Sequence, residues 1–338
     1  MRDGNVIFDL VVHVHNLLDE NFNAAGRIAQ PFKYEYIKMY KREVERIPPR
    51  EEFYKIPPNP QGVVDKIFGG SSQIDWAMAQ VVPLFELFNE DPEVNMQRVY
   101  EMTQLAPNRM IFAGGTDPVL RGLNTALRDI TTQIVDLGSK SIKLYTAHAF
   151  GNSWRMDDRK LAYPMYERML ELGCNLVQVH KGDPQGLEPL LDLRPDDVHQ
   201  AALDFPDMNF IVHHLAFPFE DLAIDLASRL PNVYLAMSTW INMIKIAPIE
   251  TAMRFGKMLS WCSPEKVIWG SETPLWPSAQ HLLDLSYDFQ IPEDLRKGWN
   301  FPEITEEDRR LMFGGNILRL LGMPYEAPAE QLAEAIGK

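Results

Sequence analysis

Short apolar runs alternate with amphipathic stretches from Asn5 onward, the rhythm of repeated parallel βα units. Eight runs read as strands: Val6–His15, Ile74–Val82, Arg109–Gly114, Ser141–His148, Asn175–His180, Asn209–His214, Val233–Ser238 and Val267–Gly270. They are rich in Val, Ile, Leu and Phe without strict alternation, as strands buried on both faces should be. Between them the apolar positions recur at three- and four-residue steps. Ala126, Ile130, Ile134 and Leu137 run up to Gly138; Leu161, Met165, Met169 and Leu172 run up to Gly173; Leu222, Leu226 and Leu230 run up to Pro231. Eight strands with intervening helices, and no Gly-rich dinucleotide loop after the first, predict a closed (β/α)8 TIM barrel rather than an open sheet. One connection breaks the rhythm. Residues 16–73 hold a charged aromatic helix (Phe32 to Arg46) and a proline-rich stretch from Ile47 to Pro60, expected to form a cover over the barrel mouth or a subunit contact. After Thr305 the pattern gives C-terminal helices, over about 305–338, packed outside the barrel. The whole chain, 1–338, reads as one domain.

Composition narrows the class. The formal charge of −14 is spread along 338 residues, and the densest basic stretch, Lys38 to Arg46, is interrupted by Glu43 and Glu45. Nucleic acid is therefore not an expected partner. No run of eighteen apolar residues and no leader-like start is present, so a cytoplasmic protein without membrane contact is expected. Cys174 and Cys262, the two cysteines, are expected to be buried free thiols. The sixteen methionines lie largely on helical faces, as core packing requires.

The histidines carry the chemistry. His13 and His15 end the first strand as His-Val-His, and residues two apart on a strand share a face, so both imidazoles can turn to one ion. His180 ends the fifth strand, His214 the sixth, and Glu272 follows the eighth. The C-terminal ends of barrel strands form the active face, and imidazole nitrogen with carboxylate oxygen suits Zn, Fe or Mn. A lone histidine is more often a hydrogen-bonded core residue; several at strand ends, with an acid, point to a divalent metal site. His13, His15, His180 and Glu272 are the expected ligands, with His214 and Glu272 the expected catalytic groups. Strand alternation lets only one of His213 and His214 face inward, and His214 is the better placed, with His213 expected to pack outward. His148 can reach the mouth as a substrate group. Lys143 and Tyr145 share a face of the fourth strand; the lysine is expected in a structural ion pair, the tyrosine near substrate. Arg155 can clamp a substrate carboxylate, and Trp269 and Trp276, flanking Glu272, can wall a dry pocket.

This set resembles the amidohydrolase-related superfamily, in its aminocarboxymuconate-semialdehyde decarboxylase-like branch. The resemblance rests on His13-Val14-His15, His180, His214 and an acid in a Gly-Ser-acid-x-Pro turn. Further matches are Gly138 to Tyr145, Pro164 to Gly173 and Phe313-Gly314-Gly315-Asn316. Lys143-Leu144-Tyr145-Thr146-Ala147, Trp154 to Asp158, Val179 to Gly182 and Phe289 to Glu293 are similar to metal-dependent monooxygenases of the 2-aminoisobutyrate hydroxylase type, which pair two related subunits. The resemblance implies a small-molecule substrate, O2 as a possible co-substrate, and a homo-oligomer or a hetero-oligomer with a homologous subunit. It equally accommodates a hydrolase, a non-oxidative decarboxylase, or a metal-binding structural partner. Two departures stand out. The superfamily's usual aspartate after strand eight is Glu272 here, one methylene longer, and the usual His-x-Gly after strand six reads His214-Leu215-Ala216. Catalytic geometry tolerates little displacement, so the first departure disfavours ordinary hydrolysis.

Overall fold

The computed structural model describes residues 1–22, 57–185, 187–239, 241–274 and 278–323. Eight parallel strands follow one another around the sheet in chain order. They are β1 (Phe8–Val12), β2 (Trp76–Gln80), β3 (Met110–Gly115), β4 (Ile142–Tyr145), β5 (Leu176–His180), β6 (Asn209–Val212), β7 (Val233–Ala236) and β8 (Val267–Ile268). Backbone bonds from Leu10 N to Trp269 O and from His13 N to Thr273 O bring β8 back to β1. The result is a nearly closed TIM barrel, as the eight-strand reading predicts.

Helices cover the outside. α1 (Pro60–Phe68) starts at Asn59, whose side chain accepts Gly62 N–H, and α2 (Pro92–Gln104) at Asp91, which accepts Glu93 N–H; both place proline in the first turn. α3 (Leu123–Val135) and α4 (Ala162–Glu171) bury the stripes around Ala126 and Ile130, and Met165 and Met169. α5 (Asp197–Asp204) and α6 (Glu220–Arg229) follow. The buried stripe of α6 is Ala223, Ile224, Leu226 and Ala227, while Leu222 is exposed. The insertion helix and proline stretch expected within residues 16–73 lie outside the described residues up to residue 56.

The lumen is packed in layers. Phe8, Leu10, Trp76, Met78, Ile111, Leu176, Ile211 and Ile268 form its apolar floor, joined by Ile317 and Leu318 from the C-terminal helix Asn316–Leu320. That helix thus seals the bottom of the barrel and does not simply lie along its outer wall. Above the floor comes a polar layer in which Gln80 Nε2 donates to Gln178 Oε1 (2.9 Å) and Gln178 Nε2 to Ser141 Oγ (3.0 Å).

β1 is irregular in one respect that decides the site. Phe8 pairs with Trp76 and Asp9 with Ala77, but Val12 pairs with Ala79, so β1 carries one extra residue at Leu10–Val11. Leu10 and Val11 both join the lumen cluster. A Cβ on Gly270 would lie 2.7 Å from Val11 Cγ2, so only glycine fits opposite the bulge. Without this extra residue His13 would share the outward phase of Asp9; with it, His13 faces the lumen.

Among the described residues, no helix is long and apolar enough to cross a membrane. Cys174 and Cys262 are both buried and free.

Candidate metal centre

The polar layer ends in a ring of buried imidazoles at the C-terminal mouth. His13, just past β1, places Nδ1 3.3 Å from the carbonyl of Gln80 and Nε2 3.4 Å from Glu272 Oε2. His180, the last residue of β5, puts Nε2 3.0 Å from the carbonyl of Asp183 and Nδ1 3.1 Å from His214 Nε2. His214 puts Nδ1 2.9 Å from Thr239 Oγ1 and 3.5 Å from Glu272 Oε1. His213 Nε2 lies 2.9 Å from Gln178 Oε1. Because that oxygen also accepts from Gln80, His213 must donate its Nε2–H there, leaving its Nδ1 with a lone pair.

A common arrangement emerges. Each of the four imidazoles can donate one ring N–H to an oxygen: the Gln80 and Asp183 carbonyls, the Gln178 amide and the Thr239 hydroxyl. The other nitrogen, His13 Nε2, His180 Nδ1, His214 Nε2 or His213 Nδ1, is then a lone pair available to an ion. Metal-binding histidines are held in this way, the outer bond choosing the tautomer. His213, His214 and Glu272 offer donor atoms within 4.8 Å of one another. Glu272 Oε1 and His213 Nδ1 are buried and make no hydrogen bond among the described residues. The separations of 3.1 Å between His180 Nδ1 and His214 Nε2 and of 3.4 Å between His13 Nε2 and Glu272 Oε2 suit ligands about 2.1 Å from one shared ion. The residues fit a divalent cation.

The electrostatics agree. Burial lowers the basicity of His180 and His213 far below the ordinary value and takes His214 down to about 4 and His15 to about 3. All four are therefore neutral, the form that ligates. Burial opposes the charge of Glu272, but its neighbours His13, His214 and Lys143 hold the carboxyl well below the usual range. Lys143 is buried with Nζ 5.5 Å from the Tyr145 ring centre; burial drops it to about 7 against the pull of Glu272. Among the described residues it forms no ion pair, contrary to the structural pairing expected from its position.

Strained backbone delivers His214 and Glu272 to the cluster on one side. His214, Leu215 and Ala216 have φ of 57°, 48° and 51°, Thr239 66° and Glu272 61°, all left-handed. The outward packing expected of His213 is corrected here. Ile211 faces the lumen, so alternation sends His213 inward as well, and His214 joins it because the chain turns left-handed there. Alternation fails only at His214, where the left-handed turn begins. Gly182 makes the turn possible: it has φ of 67°, and a Cβ there would lie 2.2 Å from Ala216 C.

The remaining expected residues separate. His15 is buried with its ring 5.2 Å from that of His13. Tyr145 stacks on His180 at 4.5 Å and 11°. His148 is drawn into a clamp: Nε2 sits 2.8 Å from Asp117 Oδ2, which also accepts Trp154 Nε1–H, and Nδ1 lies 3.9 Å from Glu86. Arg155 is 57% exposed and forks onto Asp157, with Asp196 at 3.7 Å; the structure does not bring it to the imidazoles. Its guanidinium is held protonated by the Asp157 hydrogen bond. Trp269 is fully buried and stacks on Phe313 rather than walling a pocket, and Trp276 lies outside the described residues. Gln80, Gln178 and Thr239 escaped the sequence reading. The glutamines carried a signal, since a polar residue on the lumen phase of a strand needs a buried partner.

A family model described as amidohydrolase matches residues 71–323. The chain belongs to the amidohydrolase family. The matched stretch begins at the end of the insertion, so β1 and its histidines precede it. No curated protein matches the sequence. Among solved structures, this amidohydrolase-family chain is similar to an uncharacterized TIM-barrel protein from Bordetella bronchiseptica (17% identity, 94% of this chain and 98% of that one, TM-score 0.62). It is also similar to 5-carboxyvanillate decarboxylase from Novosphingobium aromaticivorans, solved with manganese (12%, 95% and 97%, 0.58). An amidohydrolase from Burkholderia multivorans with bound zinc is a third (13%, 94% and 100%, 0.57). At these identities the likeness is one of fold.

Proposed function

We propose that this chain, a single domain, is a metal-dependent enzyme acting on a small amino or carboxylic acid, and that it serves as the metal-bearing subunit of a monooxygenase. The observation that carries the metal reading is the set of imidazoles whose outer N–H groups face oxygens, leaving lone pairs around the Glu272 carboxylate. His13, His180, His214 and Glu272 would hold the ion, with His213 and His15 close enough to complete the set. A bound divalent ion supplies Lewis acidity and, as iron or manganese, redox chemistry with dioxygen.

The protein's own groups do the rest. Gln80, Gln178, Asp183 and Thr239 orient the rings. Tyr145 lies flat on His180 and, with Leu17, Phe22, Val82, Leu84 and Leu87, forms an apolar cluster that keeps water from that side. Glu272 Oε1 and His214 are the groups able to hold or move a proton. Oxygenation is supported by the monooxygenase-like stretches around Lys143–Ala147 and Val179–Gly182, and by nitrogen-rich ligation with one carboxylate. A second reading, non-oxidative decarboxylation or hydrolysis of a small carboxylate, is favoured by the fold shared with the manganese-bound decarboxylase.

Metal analysis of protein purified without added metal, with an inventory of copurifying chains, separates the two. Iron or manganese with a homologous partner and turnover that consumes O2 is expected. Zinc in a homo-oligomer, with turnover in anaerobic buffer, would replace oxygenation by the second reading. His13→Ala combined with His15→Ala should abolish metal uptake and leave the circular dichroism unchanged; full retention of metal would put the ligands elsewhere.

A further inference from the structure

Asp9 is a fully buried acid on the outward phase of β1, between Phe8 and Leu10 of the lumen cluster. Three donors converge on it. Val11 N (3.2 Å) and Ser271 N (2.8 Å) reach Oδ1, and Ser271 Oγ (2.5 Å) reaches Oδ2. The first donor belongs to the β1 bulge, where a residue displaced from the ladder needs another acceptor. The second and third belong to the turn that carries Glu272. The chain of bonds continues: Ser271 Oγ accepts Thr273 N–H (3.1 Å) and lies 2.8 Å from Thr273 Oγ1, and the Thr273 carbonyl accepts His13 N–H (2.7 Å). Burial lifts the Asp9 carboxyl to about 7 against these bonds; in its ionised form it only accepts, so Ser271 then gives its proton to Asp9 and the Thr273 hydroxyl gives its own to Ser271.

These bonds lie at the seam between β8 and β1, where the ladder reduces to the Leu10–Trp269 and His13–Thr273 bonds and a lone Val12–Thr273 bridge. We propose that Asp9 is a positioning residue that holds the β1 bulge and the Ser271–Glu272 turn together, so that His13 and Glu272 reach one ion. The inference rests on the site being a metal centre. It gives a buried acid with no contact to the ion a defined part in assembling the site: one carboxylate sets the phase of one ligand strand and the seat of the opposite ligand.

Cobalt(II) is the probe, because its visible spectrum reports the ligand field and its affinity can be read by chelator competition. Asp9→Asn keeps the side-chain volume and the acceptor for the bulge, but offers N–H groups to Ser271 Oγ and reverses the chain of donors. Its cobalt affinity should fall about 10–100-fold, the range for residues that orient ligands. The spectrum should change while cooperative unfolding is retained. Ser271→Ala breaks the same bond from the other side and should act in the same direction, more weakly. In a Glu272→Gln background Asp9→Asn should add little, because the ligand it seats is already altered. Unchanged affinity and spectrum in both single variants, or losses fully additive with Glu272→Gln, would overturn the role of Asp9; if Asp9→Asn does not fold, Ser271→Ala decides. A wild-type chain that takes up no cobalt would sink the metal-centre reading and this inference with it, whereas cobalt bound equally by wild type and variants sinks only the inference.

Discussion

The two sides of the barrel mouth are built differently. The ends of β5 to β8 carry left-handed residues, Asp183, His214 to Ala216, Thr239 and Glu272; among the described residues, the only other non-glycine residues with positive φ are Asp3 and Asn300. The ends of β2 to β4 carry none and instead close on a buried clamp. Asp117 accepts Val119 N–H, Leu120 N–H, Trp154 Nε1–H and His148 Nε2, and Glu86 accepts Ala149 N–H at 2.7 Å. One side accepts backbone strain to aim ligands; the other satisfies its polar groups among themselves. Strained turns persist only where surrounding structure over-determines them, and here that support comes from Gly182 under the His214 turn and the hydroxyl of Thr239 beside the ring.

The sharpest way to break this contrast is Asp117→Ala. It strands several buried donors at once and should cost about 3–5 kcal/mol, read by denaturant unfolding. The metal content per folded chain should stay at the wild-type level; a variant that loses its ion with its stability would merge the two sides. Gly182→Ala should cost less, about 2 kcal/mol from overpacking against Ala216 and Phe217, but should weaken metal affinity as well, because the residue it displaces belongs to the His214 turn. An unaltered affinity would show that the turn tolerates movement.

The mildest test is pH. In the metal-free protein His15, His180, His213 and His214 have basicities depressed by burial. The unfolded chain takes up protons near pH 6.5 that these rings refuse in the folded chain until well below it, about 4 for His214 and about 3 for His15, so this contribution is full above pH 6.5 and drains away as pH falls. Denaturant midpoints between pH 7.5 and 5 should therefore decline, and His213→Asn should flatten the decline. A midpoint independent of pH over that range would mean that these rings are solvated.

The eight strands, their order and the histidines at their ends were legible in the residues, because apolar runs and helical stripes report burial directly. What stayed hidden was backbone geometry. Nothing in Leu10-Val11 announces a bulge, and nothing in His213-His214 announces a left-handed turn, so alternation anchored on an inward His214 sent His213 the wrong way. Arg155 illustrates a different gap. A guanidinium marks a carboxylate-binding group by type, but the carboxylate it binds is its own neighbour Asp157. His148 lies three residues past β4, and its partners, Asp117 and Glu86, come from other βα units that only the fold brings together.

The bulge in β1 bears on how such centres are recognised. His-Val-His names two candidate ligands by type and spacing, yet the direction in which they point is inherited from the count of residues beneath them. A related chain one residue shorter under that motif would preserve every letter of it while turning the pair toward the helices. The strand's phase, carried by residues that never touch the ion, belongs to the signature as much as the histidines do.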